Sequence, residues 1–144
     1  EEKNISKWYG IYASRQPGNH MARIVVPGGV LTSSQARRIA KVAEDYAQGK
    51  LSITTRQCIQ LHWLKAPALA DMMRGLAEDS LSTFHGCGDV MRNVAACPLA
   101  ETCQFKRFNV LPYSKETARV LTEMRDLDNL PRKFKITFSR ASTS

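Results

Sequence analysis

The chain has 144 residues, 43% hydrophobic and 24% charged, a balance typical of a soluble globular protein. The length suits one ordinary domain or two small units sharing a core, and no apolar run approaches the ~18–20 residues of a membrane span. A net charge of +8, from 21 Lys and Arg against 13 Asp and Glu, implies an anionic partner. The basic residues are scattered through apolar stretches, as around Arg23 and Arg92, which argues against a solvated nucleic-acid tail. Four cysteines without a secretory signal read as cytosolic thiols, not as a disulfide framework, so the expected location is cytoplasmic. The start, Glu1-Glu2-Lys3-Asn4, is too polar for a signal peptide and lacks an initiator Met, so a fragment of a longer protein is expected.

In chain order, Trp8, Gly10, Tyr12 and Ser14 alternate as in a short strand, which leads into a loop at Gln16-Pro17-Gly18-Asn19. Residues 20–26 read as a β-branched strand stopped by Pro27-Gly28-Gly29. Thr32, with Gln35 three residues on, predicts a capped helix with an apolar stripe of Ala36, Ile39, Ala43 and Tyr46, ended by Gly49. Residues 51–55 and 58–64 read as two strands around a polar turn. In the second, Cys58, Gln60 and His62 share one face while Ile59, Leu61 and Trp63 share the other. Pro67 opens a second helix through Leu69, Met72, Met73 and Leu76.

Beyond Leu81 the character changes. Gly86-Cys87-Gly88-Asp89 is turn-rich, a short helix is expected over 90–96, and Pro98 breaks it. Ser114 and Thr117 suggest the start of a third helix with Ala118, Leu121 and Met124 on one side, ended by Leu130-Pro131. Residues 133–138 alternate basic and apolar like a strand. The order of elements predicts an α+β fold: a ferredoxin-like half-domain over 1–80, with an antiparallel sheet and helices on one face, then a partial α/β segment over 81–144.

Three segments set fixed cations beside constrained backbone: Arg23 with the Pro-Gly-Gly turn and the 54–62 block, Arg92 behind Gly88-Asp89, and Lys133 with Lys135. Arg suits bidentate oxyanion binding and Lys acts as a compact point charge. Two unit charges 4 Å apart repel by ~4 kcal/mol at an effective dielectric near 20, so convergence of these four would itself mark an anion site. Taken alone, Lys133-Phe134-Lys135-Ile136 reads better as a surface strand with a solvated lysine face.

Four blocks occur together and in order: Met-Ala-Arg23-x-x-x-Pro27-Gly28-Gly29, Thr54-Thr55-Arg56-Gln57-x-x-Gln60-x-His62, Gly88-Asp89-x-x-Arg92-Asn93-Val94 and Leu130-Pro131-Arg132-Lys133-Phe134-Lys135. Together they resemble the nitrite/sulfite reductase family that uses sirohaem coupled to a 4Fe–4S cluster, over residues 8–138. The resemblance implies six-electron reduction of sulfite to sulfide or of nitrite to ammonia. It implies that Arg23, Arg92, Lys133 and Lys135 surround the oxyanion on the distal face of sirohaem and assist oxygen loss. It also implies that Thr54, Arg56, Gln57, Gln60 and His62 line the macrocycle and its carboxylates, with Asn93 beside the catalytic Arg. The implied partners are an electron donor, either ferredoxin or flavoprotein, and the remaining C-terminal part of the enzyme.

There are departures. Some family members carry a basic residue that also grips sirohaem at the position where this chain has Ser52. The family holds its cluster with a Cys-x5-Cys and a Cys-x3-Cys pair downstream of the Leu-Pro-Arg-Lys-Phe-Lys block, and the chain ends before either. Sirohaem and the 4Fe–4S cluster are therefore expected in the full-length enzyme and not in this chain, which is expected to have no turnover alone.

Cys97 and Cys103 make a Cys-x5-Cys spacing upstream of that block, but they read better as small buried or half-buried thiols, and no metal ligands are assigned. His20 reads as a surface or sheet-edge residue and His85 as a loop residue or pocket wall. Met21, Met72, Met73, Met91 and Met124 fall mostly at core spacings. The competing reading is a non-catalytic basic ferredoxin-like module that binds nucleic acid or another anion; no aromatic stacking motif of the RNA-binding kind accompanies it. A third is a regulatory paralogue that keeps the anion site and has lost the cluster.

Overall fold

In the computed structural model, residues 6–104 and 107–139 are described; the polar start at Glu1–Asn4 lies outside them. Strand β1 (Ile11–Ala13) turns through the Pro17-Gly18 loop into β2 (His20–Ile24). Helix α1 (Ser33–Tyr46) crosses back to β3 (Leu51–Ile53), which turns into β4 (Ile59–Leu64), and α2 (Leu69–Ala77) follows. The sheet order is β1-β2-β4-β3 and every pairing is antiparallel. Ala22 and Ile24 of β2, Ile59, Leu61 and Leu64 of β4, Ile39, Val42 and Ala43 of α1, and Met72 and Leu76 of α2 make one core. Both helices therefore cover one face of the sheet. The opposite face carries the half-buried Tyr12, Met21, Arg23, Gln60 and His62.

The helix start at Thr32 is as expected: its hydroxyl accepts from the Gln35 N–H at 3.1 Å, and the Gln35 side chain accepts from the Thr32 N–H at 3.1 Å. The stripe is rotated, because Val42 joins Ile39 and Ala43 inside while Ala36 is exposed. The alternation in β4 also fails at its end. The register passes from Ala22 opposite Leu61 to His20 opposite Leu64, so one extra residue bulges from β4, and Trp63 takes a φ of 58°. Leu64 enters the core in its place. His20 closes a central strand, half-buried, instead of lying at a sheet edge.

No helix forms over 90–96. That stretch is extended and pairs in parallel with 134–138, through Arg92 N–H to Phe134 O (2.9 Å), Phe134 N–H to Val90 O (3.2 Å), Ala95 N–H to Ile136 O (3.1 Å) and Cys97 N–H to Phe138 O (2.9 Å). Its regular parts are β5 (Ala95–Ala96) and, at the far end, β6 (Thr137–Phe138). Val90, Met91 and Val94 to Ala96 are all buried, and a strand covered on both faces shows no alternation to read.

Between these strands lies α3 (Leu111–Glu123), with Pro112 in its first turn. The helix begins at Leu111 and not at Ser114. Ser114 lies inside it, fully buried, and its hydroxyl donates to Val94 O at 3.1 Å. Met124 follows the helix end and is exposed. The Pro27-Gly28-Gly29 turn touches both halves of the molecule. Gly28 and Gly29 have φ near 70°, a Cβ on Gly28 would overlap Leu111 Cδ1, and one on Gly29 would stand 2.6 Å from Gln57 Cδ. These glycines do more than stop a strand; they let α3 and the 54–57 turn approach β2.

Candidate functional site

Arg23 of β2, the 54–58 turn, the 86–93 stretch and the lysine segment at 133–135 surround a cavity of about 220 Å3. Arg23, Arg56, Arg92, Lys133 and Lys135 line it, with Thr54, Thr55, Cys58, Gly86 and Asn93 between them. No Asp or Glu is among these lining residues. Arg23, Arg92, Lys133 and Lys135 thus line one cavity with Arg56, and five cations without a carboxylate repel one another, the exposed lysines least because solvent screens them. An anion placed among them relieves that repulsion.

Each cation is placed by a different element. Arg23 points from β2 to the face opposite Ala22, and its Nη1 donates to Gly86 O at 3.2 Å. Arg92 donates Nη2 to the same carbonyl at 2.7 Å and Nη1 to Gly88 O at 3.2 Å. One carbonyl of the 86–88 turn therefore holds two guanidinium groups side by side. With its amide oxygen turned to Arg23, Gln60 accepts from Nη2 at 2.6 Å and from Nε at 3.3 Å.

Arg56 is committed differently. Its Nη2 donates to Asn93 O and to Ile136 O, both at 2.7 Å, and Asn93 Nδ2 returns a bond to Arg56 O at 2.9 Å and another to Val26 O at 2.9 Å. This reciprocal lock ties the 54–57 turn to the 90–97 strand. Burial, and secondarily Arg92 nearby, pull the Arg56 pKa down from its ordinary value, with Cys58 acting the other way. Gln57 acts as another tie, its amide donating to Ala96 O at 2.7 Å and accepting from the Ala96 N–H at 3.0 Å.

Of the residues proposed from sequence, Arg23, Arg92, Lys133, Lys135, Thr54, Arg56 and Asn93 therefore line one cavity. Gln57, Gln60 and His62 do not. Gln60 stands behind Arg23, and His62 Nε2 lies 3.2 Å from the Ser52 hydroxyl. Thr55, Cys58 and Gly86 were not singled out from sequence. The signal for Cys58 was its shared face with Gln60 and His62. Burial pushes the Cys58 thiol up, against the pull of Arg23 and Arg92, so it is neutral at pH 7. Cys97 and Cys103 are half-buried, and among the described residues no three His, Cys, Asp or Glu converge to hold a metal ion.

His85, next to the turn that holds the arginines, is 2% exposed and stacks on Phe84 with ring centroids 4.0 Å apart. Its Nε2 lies 2.7 Å from Asp128 Oδ1, but neither atom is aligned for a hydrogen bond. Burial is the largest influence, prevails over the Asp128 carboxylate and lowers the His85 pKa below its ordinary value. The unfolded chain binds this proton near pH ~6.5 and the folded chain only below that. Stability from this source is complete above ~6.5 and falls as pH drops toward the folded value. Urea midpoints at pH 7.5 and 5.5 should differ, with the lower pH less stable, and His85→Asn should shrink the gap. Equal wild-type midpoints would contradict the burial argument.

Comparison with known proteins matches two segments of the chain. Residues 12–79 match the nitrite/sulfite reductase ferredoxin-like half domain, and residues 87–143 match the nitrite and sulphite reductase 4Fe-4S domain. The chain is 34% identical to an assimilatory ferredoxin-dependent nitrite reductase of Haloferax mediterranei, over 90% of this chain and 24% of that protein. It is 40% identical to the hemoprotein beta-component of an NADPH sulfite reductase of Acidithiobacillus ferrooxidans, over 59% of this chain and 15% of that one. The solved NirA protein of Mycobacterium tuberculosis superposes with a TM-score of 0.87 at 26% identity, covering 94% of this chain and 28% of that structure. The fold is also that of dissimilatory sulfite reductase I, with a TM-score of 0.71 at 18% identity, covering 85% of this chain and 29% of that structure. The chain spans about a quarter of the length of the nitrite reductase and of both solved proteins, and less of the sulfite reductase component. With both matched segments in order and the cavity formed where they meet, the chain belongs to the nitrite/sulfite reductase family.

Proposed function

We propose that this chain is the oxyanion-binding part of a sirohaem-dependent reductase that converts nitrite to ammonia or sulfite to sulfide. The observation that carries the reading is the cavity lined by Arg23, Arg56, Arg92, Lys133 and Lys135 without a carboxylate. Arg23 and Arg92, fixed on one carbonyl, would bind and orient the oxyanion, and the two lysines would neutralise charge as its oxygens leave as water. Cys58, a neutral thiol on the same wall, adds a short polar contact without adding negative charge.

The donor set also fits a polycarboxylate macrocycle. Thr54 and Thr55 supply hydroxyls beside the five cations, and Arg56 Nε is buried without a hydrogen-bond partner. Thr54 and Arg56 would face the carboxylates of sirohaem, and Asn93, beside Arg92, braces Arg56. Gln60 and His62 lie further along the same sheet face, and Gln57 braces the turn that carries Thr54 and Arg56. When bound, sirohaem supplies the electrons, drawn from a ferredoxin or flavoprotein donor. The described residues do not fit a 4Fe–4S cluster, whose ligands are expected from the rest of the enzyme. On this reading the 144-residue chain has no turnover by itself and works in the cytoplasm. Among the described residues no helix is long and apolar enough to cross a membrane, and the nucleic-acid alternative draws no support from the relatives above.

Calorimetric titration of the chain with sulfite and with nitrite at constant ionic strength tests the reading. Saturable binding of either anion, unmatched by perchlorate, is expected. Equal heats from all three would refute it.

A further inference from the structure

Lys133 and Lys135 reach the cavity from a segment that packing does little to hold. Residues 131–135 are all exposed, the Phe134 ring included, and β6 begins only at Thr137. What docks this segment is a short run of hydrogen bonds to residues 89–92, and Asp89 accepts two of them. Its carbonyl takes the Leu130 N–H at 2.8 Å, and its carboxylate Oδ1 takes the Lys133 N–H at 3.1 Å. Among the described residues Asp89 forms no ion pair, so its acid group serves the Lys133 backbone and not an ammonium. Three residues on, Arg92 enters the cavity.

We propose that Asp89 is a positioning residue for the anion site: its carboxylate fixes the Lys133 backbone and so sets where both ammonium groups stand relative to Arg92. The inference rests on the reading of the cavity as a nitrite or sulfite site. Charge and position make opposite predictions. By charge alone, removing an acid from the segment that carries Arg92 tightens anion binding. By position, Asp89→Ala loosens the lysine segment and weakens binding, by roughly tenfold for one charge-assisted hydrogen bond. Asp89→Asn keeps an acceptor oxygen in place and should retain wild-type affinity or exceed it. Asp89→Glu keeps the charge but moves the acceptor by a methylene, and should weaken binding as alanine does.

The test is sulfite and nitrite titration of the full chain and the three variants, with hydrogen exchange at the Lys133 amide as a second readout. Faster Lys133 exchange in Asp89→Ala and Asp89→Glu, with slow exchange kept in Asp89→Asn, is expected to accompany the affinities. If the wild-type chain binds neither anion, the site reading fails and takes this proposal with it. If the wild type binds but Asp89→Ala and Asp89→Glu bind as tightly or more tightly, or Lys133 exchange is unchanged in both, the role of Asp89 alone is overturned. Asp89→Glu decides the matter should Asp89→Ala fail to fold.

Discussion

Arg92→Leu is expected to weaken sulfite and nitrite binding by about 30-fold or more, the largest loss of any single cation in the cavity. Truncating one partner of a hydrogen-bonded buried charge pair typically costs about 2–5 kcal/mol. Arg92 should show the largest loss for a geometric reason: its Nη1 and Nη2 are pinned by Gly88 O and Gly86 O, so little ordering remains when the anion arrives. Arg92→Lys should fall between, because a lysine keeps the charge but cannot span both carbonyls. Arg23 shares the Gly86 carbonyl, so the two arginines should couple in a double-mutant cycle. Calorimetry on the four proteins of that cycle measures both effects. An Arg92→Leu chain that binds sulfite and nitrite like the wild type removes Arg92 from the site.

Arg56→Met is expected to destabilise the unliganded chain by roughly 2 kcal/mol. The change strands the carbonyl of Asn93, while Ile136 O keeps the Ala95 N–H, and a buried acceptor left unpaired costs about 1–3 kcal/mol. The return bond from Asn93 Nδ2 goes to the residue-56 backbone carbonyl and survives the change. Arg56→Lys should recover only part of the loss, since one ammonium on a shorter side chain does not reproduce the planar fork. Urea denaturation gives the answer from the shift in midpoint at constant slope. The result separates two roles: were Arg56 only a grip for cofactor carboxylates, its removal would leave the unliganded chain as stable as before.

Local chemistry was legible wherever a residue's partner lay a few positions away. The Thr32–Gln35 capping box, the α1 and α2 spans and the strand pair around residues 54–57 all emerged from near neighbours in sequence. Trp63 did not, because the bulge that turns it aside depends on how β4 registers against β2. Residues 90–96 were misread as helix because their hydrogen-bonding partners lie some 40 residues later, at 134–138. Ser114 was misread as a helix start because its hydroxyl answers a carbonyl of that same strand, Val94 O.

The site divides along the same line. The kinds of residue needed for an oxyanion, and the four blocks that carry them, were set out in the amino-acid order, and so was the family. Whether Arg56 and Gln57 face a ligand or brace the backbone was decided only by folding, because both outcomes use the same guanidinium and amide donors. Tertiary structure alone brought Arg23, Arg92 and the two lysines to one cavity. The physical reason is one of range: propensity and capping act over a turn or two, whereas charges from distant segments meet only where strand pairing and helix packing place them.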